Sequence, residues 1–409
     1  MSANAGGDGA APAGCVGAYL ELGLALGRHI DGLVDAYYGP PQLAARVGAE
    51  PVRSPVRLAD EARALLRDLE ANAPLDDGDE DDRNRRAWLV AQVRGLWTTA
   101  RRLAGEDIGY VDEVEQCYGV RPEAVPDEQL RDAHRRLAEA LPGDGSLPQR
   151  LIAWREAQAV PTDLLPTAIS TLAEDLRERT RERFGLPDDE HVDFELVTGR
   201  PWSGFNTYLG GLRSRVDINT DLPVLSISLA HLVAHEAYPG HHTEHSRKEV
   251  GLVRRRHYLE ETIFLVGTPA CLLAEGLADL GLEVVVGRRP EAVVAEHLRP
   301  LGIRYDAELV GAVAEAGEAL ASARGNAALR LHAEGADPDT VVDDLARWAV
   351  LPRQRAVKAV EFLLHPTWRA YAFCYIEGLR LCRRYVGGDA ARFERLISEQ
   401  LTPADLMAA

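Results

Sequence analysis

Apolar residues recur at intervals of three and four positions over most of this chain of 409 residues. The pattern runs, for example, through residues 16–38, 164–184, 256–266 and 270–286, and proline or glycine separates many of these stretches. Such spacing places the apolar side chains on one face of an α-helix, which can then bury against neighbouring helices. The sequence therefore predicts a mainly α, multi-helix fold.

The period changes between residues 191 and 227. Residues 191–197 and 208–227 contain short β-prone pieces next to Gly210-Gly211 and Asn219, which are residue types that favour tight turns. We therefore expect a small antiparallel β-sheet directly before a histidine-rich helix. The helical residues 1–190 and a catalytic-type region of residues 191–409 are expected to form one continuous globule.

Charge and cysteine usage restrict the partners and the compartment. The formal net charge of −18 provides no basic face for nucleic acid or an anionic membrane. Five scattered cysteines without a CxxC pair indicate neither a disulfide framework nor a cysteine-rich zinc module. Because there is also no basic leader and no run of eighteen apolar residues, we expect a cytoplasmic protein.

The segment from His231 to His242 contains the residue types of a hydrolytic zinc site. His235 and Glu236 form the first half of an HExxH motif, in which a second histidine follows four residues later on the same helical face. Pro239 occupies that position here. A catalytic zinc needs nitrogen or carboxylate ligands, a position for water, and a nearby carboxylate that accepts the proton of that water. His235 is therefore a candidate ligand and Glu236 the candidate general base.

Pro239 and Gly240 determine which histidine could complete the site. In an unbroken helix, His242 returns to the face of His235, whereas His241 lands on the far side. Proline and glycine continue a helix poorly, however. If they form a bulge that adds two residues to the turn, His241 takes the place of the second motif histidine. We favour His241 as the zinc ligand and keep His242 as the alternative.

Residues 235–242 resemble the HExxPGHH motif of the bacterial domain-of-unknown-function 885 (DUF885) family, whose members resemble gluzincin-type metallopeptidases. Residues 275–278 match the Glu-Gly-x-Ala frame of the family's EGWAxY segment, although its Trp and Tyr are replaced. His332 and Gly335 match part of a DxGxHxxG segment, and residues 375–378 match a YxxG core. These matches occur in order within residues 190–385.

The resemblance implies a zincin-like fold and a zinc-dependent hydrolase of amide or peptide bonds, with Glu275 as the third ligand. It also favours Tyr375 and His332 as donors to the developing oxyanion, with Tyr371 as a further candidate. Glu275 has local support, because a carboxylate in an apolar helix is costly unless it is paired or binds a cation. The expected partner is a short peptide or an amide-containing small molecule.

Two other functions are compatible with these residues. Two histidines and one carboxylate also suit non-haem Fe(II), as in oxygenases and other biosynthetic enzymes. A non-catalytic binding protein with a degraded site is the other alternative, because the later motifs depart from the family pattern. The additional carboxylate of Glu236 favours hydrolysis. His231 and Asp279 are expected to support the ligands or to have ordinary structural roles.

Overall fold

Most residues of the protein lie in helices, as the sequence predicts. The computed structural model describes residues 13–76, 83–200 and 202–409. The helices of the N-terminal half are α1 (Gly14–Gly27), α2 (Pro41–Ala49), α3 (Pro55–Glu70), α4 (Arg83–Leu103), α5 (Tyr110–Tyr118), α6 (Asp127–Ala140), α7 (Leu147–Glu156) and α8 (Leu165–Phe184). The helices of the C-terminal half are α9 (Ser226–Glu236), α10 (His241–Lys248), α11 (Pro269–Val286), α12 (Glu291–Leu298), α13 (Ala307–Gly317), α14 (Ala323–His332), α15 (Pro338–Trp348), α16 (Arg353–Leu364), α17 (Leu379–Val386), α18 (Ala390–Leu396) and α19 (Pro403–Ala408).

Short strands form two small sheets beside these helices. The strands are β1 (Val34–Tyr37), β2 (His191–Val197), β3 (Gly204–Gly210), β4 (Arg213–Asn219) and β5 (Ile263–Leu265). The three-stranded sheet has the order β2-β4-β3 and directly precedes α9. The prediction of a mainly α fold with a small sheet before the histidine-rich helix is confirmed.

The sheet is mixed, which corrects the expectation that all of its strands are antiparallel. β3 and β4 form an antiparallel hairpin, but β2 pairs parallel with β4. The connection from β2 to β3 crosses the end of β4, where the Asn219 amide donates hydrogen bonds to the carbonyls of Arg200 and Trp202. β4 is therefore the central strand, and β3 is an edge strand.

The helix predicted over residues 16–38 is wrong beyond Gly27. A Cβ atom at Gly27 would lie 2.6 Å from Val34 Cγ2, so glycine allows the chain to fold back on itself at this point. β1 then pairs antiparallel with β5, and a short 3₁₀ helix, Leu259–Thr262, together with β5 takes the place of the helix predicted over residues 256–266. The register between the two strands shifts between Val34 and Ala36, which places a β-bulge at Asp35.

Helix α11 lies at the centre of the larger core. It is buried on nearly every side, with Leu272 and Leu277 completely inaccessible, as expected for a helix that is apolar all round. It packs against α9, α17 and a π-helical turn, Cys374–Gly378. Within residues 13–76, 83–200 and 202–409, no helix has both the length and the hydropathy needed to cross a bilayer.

Candidate metal centre

The helix that carries His235 is interrupted just after Glu236. α9 ends at Glu236 and α10 begins at His241, with residues 237–240 forming the turn between them. A Cβ atom on Gly240 would lie 1.9 Å from the carbonyl oxygen of His235, so only glycine fits this turn. The interruption brings the imidazole of His241 beside that of His235, with their Nε2 atoms 3.1 Å apart.

Glu275 of α11 completes a group of three donors with these histidines. Its Oε2 lies 3.4 Å from Nε2 of His235, and its Oε1 lies 3.5 Å from Nε2 of His241. A tetrahedral zinc with bonds of about 2.0–2.2 Å separates its ligand atoms by about 3.3–3.6 Å. Oε2 of Glu275 is also buried and accepts no hydrogen bond from the described residues. The three side chains are therefore close enough to hold one zinc ion, with a different Glu275 oxygen nearest to each imidazole.

Neighbouring side chains contact the candidate ligands of this site. Asp279, one turn after Glu275, accepts a hydrogen bond of 2.9 Å from Nδ1 of His235, which leaves Nε2 of that ring free for a metal. The hydroxyl of Tyr371 donates a hydrogen bond of 2.6 Å to Oε1 of Glu275. His231 also approaches Asp279, with 3.5 Å between Nε2 and Oδ1. The sequence left the roles of Asp279 and His231 open, and both residues lie next to the candidate ligands.

The charges of this group perturb one another. Burial lowers the pKa of the His235 imidazole, but hydrogen bonds to Asp279 and Glu275 outweigh this effect and raise the pKa well above its ordinary value. Burial raises the pKa of the Glu275 carboxyl, but the imidazoles of His235 and His241, which lie 3.4 and 3.5 Å from its oxygens, hold that pKa far below the usual range. These shifts favour an ionised Glu275 beside protonated imidazoles, and a metal ion would have to displace the imidazole protons in order to bind.

Glu236 lies within the same group without occupying the position of Glu275. Ligand atoms of His235, Glu236 and His241 all lie within 4.8 Å of one another. The strand β3 packs behind Glu236, because a Cβ on Gly204 would lie 3.1 Å from its Oε1. Burial raises the pKa of the Glu236 carboxyl. A carboxylate in this position can reach a water molecule bound at the centre and accept its proton.

The structure does not bring His242 into this group. Its ring is completely buried and lies 2.8 Å from the Ser214 hydroxyl and 2.9 Å from the Glu190 carboxylate. The hydroxyl of Tyr238 donates a hydrogen bond of 2.7 Å to the same carboxylate. His242 therefore belongs to a buried polar network, in which it contacts β4 through Ser214.

The two predicted oxyanion donors lie in different places. The ring of Tyr375 stacks beside that of His235, with 6.5 Å between the centroids. His332 lies apart from the group, since its Nε2 is 2.8 Å from the carbonyl of Leu363 and its ring packs against Tyr110. His332 occupies the end of α14, and its contacts there leave the expected role as an oxyanion donor without geometric support.

Sequence reasoning missed Asp35, which lies in β1. The charges of His241, Glu275 and Glu236 all act on its carboxyl group, and burial raises the pKa of that group to about 7. Because residues 16–38 have a helical pattern, Asp35 was indistinguishable in the sequence from an ordinary acid on the exposed face of a helix. The signal that could have revealed it is a carboxylate within the apolar stretch of residues 33–36, which is the kind of signal that supported Glu275.

Comparison with known proteins provides a shared fold but no family. No family model matches this chain, and no curated protein matches it. The fold is similar to that of a candidate lipoprotein from Colwellia psychrerythraea, with a TM-score of 0.51 and 15% sequence identity over 90% of this chain and 68% of that chain. The resemblance to the DUF885 family therefore remains a prediction from the motifs.

Two further solved structures are less similar. One is a candidate lipoprotein of unknown function from Shewanella oneidensis, with a TM-score of 0.46 and 12% identity over 89% of this chain and 75% of that chain. The other is an M32 carboxypeptidase from Deinococcus radiodurans R1, with a TM-score of 0.38 and 11% identity over 95% of this chain and 91% of that chain. Likeness at this level does not define a function for this chain.

Proposed function

We propose that this protein is a zinc-dependent hydrolase of amide or peptide bonds. The observation that carries the proposal is the closeness of His235, His241 and Glu275, whose nearest donor atoms lie 3.1–3.5 Å apart, with a different Glu275 oxygen nearest to each imidazole. Glu236 lies beside the two histidines. Three protein ligands leave one position of a tetrahedral zinc for water, which distinguishes a catalytic site from a structural one.

The surrounding residues divide the chemical work. A zinc ion held by His235, His241 and Glu275 would lower the pKa of a bound water and polarise a substrate carbonyl. Glu236 removes the proton of the attacking water and later delivers it to the departing amine. Tyr375, whose ring stacks beside His235, is the candidate donor to the oxyanion that develops on the carbonyl oxygen.

Glu236 also favours hydrolysis over the alternative of Fe(II)-dependent oxygen chemistry. Two histidines and one carboxylate satisfy an iron site without a further acid. Here a fourth ionisable group, buried and adjacent to the two imidazoles, stands where a general base is needed. Proton transfer by a positioned carboxylate contributes about 10²–10⁴-fold to a hydrolytic rate.

The test is the substitution Glu236→Gln. The variant is expected to bind zinc like the parent and to lose about 10²–10⁴-fold in turnover, because the amide cannot accept the proton. Zinc per chain is measured by mass spectrometry of the purified protein, and hydrolysis is measured on an equimolar set of dipeptides. Glu308→Gln on the surface of α13 is the matched control. A Glu236→Gln variant that turns over at the parental rate contradicts the proposal, as does a zinc-loaded parent that cleaves no amide.

A further inference from the structure

The two oxygens of the Glu275 carboxylate have different surroundings. Oε1 accepts a hydrogen bond of 2.6 Å from the hydroxyl of Tyr371. Oε2 is buried and accepts no hydrogen bond from the residues that the structure describes. A buried carboxylate oxygen is costly when it has no hydrogen bond, unless a cation binds it. Oε2 is therefore the oxygen that is available to a metal ion.

This hydrogen bond, rather than distance, distinguishes the two oxygens. Oε2 lies 3.4 Å from Nε2 of His235, and Oε1 lies 3.5 Å from Nε2 of His241, so each oxygen is close to an imidazole. A hydroxyl that donates to a carboxylate forms a charge-assisted bond and occupies a lone pair of the accepting oxygen. Oε1 is therefore the weaker donor to a metal ion for as long as Tyr371 holds it.

Packing fixes the position of the Tyr371 hydroxyl. The ring of Tyr371 packs edge-to-face against Trp368 and against Tyr375, with 5.3 Å between the centroids in each pair. The π-helical turn that follows is tied to α11, because a Cβ on Gly378 would lie 2.4 Å from the carbonyl oxygen of Leu272. Tyr371 thus approaches Glu275 from a segment that packs on the same helix, and such rigid support is what a precisely placed ligand needs.

The number of carboxylate oxygens that bind determines what remains for water. A catalytic zinc has three protein donors and a fourth position for water or substrate. Two imidazoles and one oxygen of Glu275 provide three donors. If both oxygens of Glu275 were bound, the protein would fill the fourth position or raise the coordination number.

We propose that Tyr371 is a positioning residue that makes Glu275 bind zinc through Oε2 alone, and so keeps the fourth zinc position for water. This inference rests on the proposed hydrolase function and deepens it. It gives the Tyr371 hydroxyl a role on the metal ligand rather than on the oxyanion, for which Tyr375 stays the candidate donor.

The test is the substitution Tyr371→Phe, which removes the hydroxyl and keeps the packed ring. X-ray absorption of the zinc-loaded protein is expected to show one more oxygen donor at the metal than in the parent, because Oε1 becomes free to bind. Zinc affinity, measured by competition with a chromogenic chelator, is expected to fall by about 10–100-fold, because Glu275 is no longer held in place. Neither measurement uses a substrate.

Tyr208→Phe is the matched control. The hydroxyl of Tyr208 also donates to a buried carboxylate, with 2.5 Å to Oε2 of Glu249, which is not a candidate ligand. Both variants lose one such hydrogen bond, and urea denaturation is expected to show a similar loss of stability in the two. Only Tyr371→Phe is expected to change the zinc spectrum and the zinc affinity, which separates positioning of the ligand from a general structural role.

The possible failures are distinguishable. A Tyr371→Phe variant with the zinc spectrum and affinity of the parent overturns the role of Tyr371, and a loss of turnover in that variant would place the hydroxyl on the substrate instead. The hydrolase proposal is untouched by that result. A parent that binds zinc but cleaves no amide refutes the hydrolase, and the zinc spectra still decide the role of Tyr371. A parent that takes up no zinc overturns both proposals.

Discussion

A direct test of how the centre is assembled is the substitution Gly276→Ala in α11. The backbone of Gly276 lies against the end of the π-helical turn that carries Tyr375. A Cβ at position 276 would lie 2.3 Å from both the carbonyl carbon and the oxygen of Gly378, whereas ordinary contact begins at 3.4 Å. The two backbones would therefore have to separate by about 1 Å, since neither can rotate away as a side chain can.

The separation of these two backbones is expected to displace both Glu275 and Tyr375. Glu275 directly precedes the substituted residue, and Tyr375 lies one turn before Gly378. Overpacking of this kind is expected to lower the free energy of unfolding by about 1–3 kcal/mol. A displacement of about 1 Å at reacting groups is expected to reduce turnover by about 10²-fold. Zinc binding should weaken as well, because Glu275 moves relative to the two histidines.

The matched control is Gly48→Ala in α2, where a new Cβ would meet no atom within 4 Å. Alanine is favoured over glycine by up to about 1 kcal/mol in a helix, and this preference raises the free energy of unfolding of both variants. Urea denaturation, zinc content and dipeptide hydrolysis are compared for the parent and the two variants. If Gly276→Ala matches Gly48→Ala in stability and zinc content, the contact with Gly378 does not position the ligand, and the reasoning fails.

Two further predictions concern the ligands. Asp279→Asn should weaken zinc binding by about 10–100-fold, because the neutral asparagine side chain replaces the charged acceptor of the hydrogen bond from Nδ1 of His235. Competition with a chromogenic chelator measures the zinc affinity, and an unchanged affinity would show that Asp279 does not support the ligand. His241→Ala should purify without zinc, whereas His242→Ala should retain zinc and lose about 1–3 kcal/mol of stability, because buried polar partners remain unsatisfied. Zinc analysis and urea denaturation measure both, and zinc loss confined to the His242 variant would reverse the assignment.

Local sequence pattern is sufficient to predict the long helices and the two histidines of the candidate metal centre. Helices α8 and α11 are predictable to within one residue at each end, because their apolar faces extend over several turns between clear breaks. His235 and His241 are close in sequence, so helix geometry and the Pro-Gly break are enough to predict that the two imidazoles could lie side by side. Glu275 required a different physical argument, the cost of a carboxylate in an apolar helix.

The remaining features depend on contacts between distant segments. β1 and β5 contain four and three residues, too few to show alternation, and each is stabilised mainly by pairing with the other. The pairing of β2 with β4 depends on how a connection crosses the sheet, which no period in the sequence encodes. Asp35 becomes significant only through the charges of His241, Glu275 and Glu236, which are far from it in the sequence. None of these long-range interactions leaves a periodic signal in the sequence.

The β-bulge at Asp35 lies on a different element from the candidate metal ligands, and this separation matters for protein engineering. The proposed ligands and base lie on α9, α10 and α11, and the buried α11 has almost no surface on which substitution is free. Asp35 lies on a four-residue strand at the margin of that framework. A substitution at Asp35 can therefore change the charge that acts on His241, Glu275 and Glu236, while the framework that would hold the metal keeps its own residues.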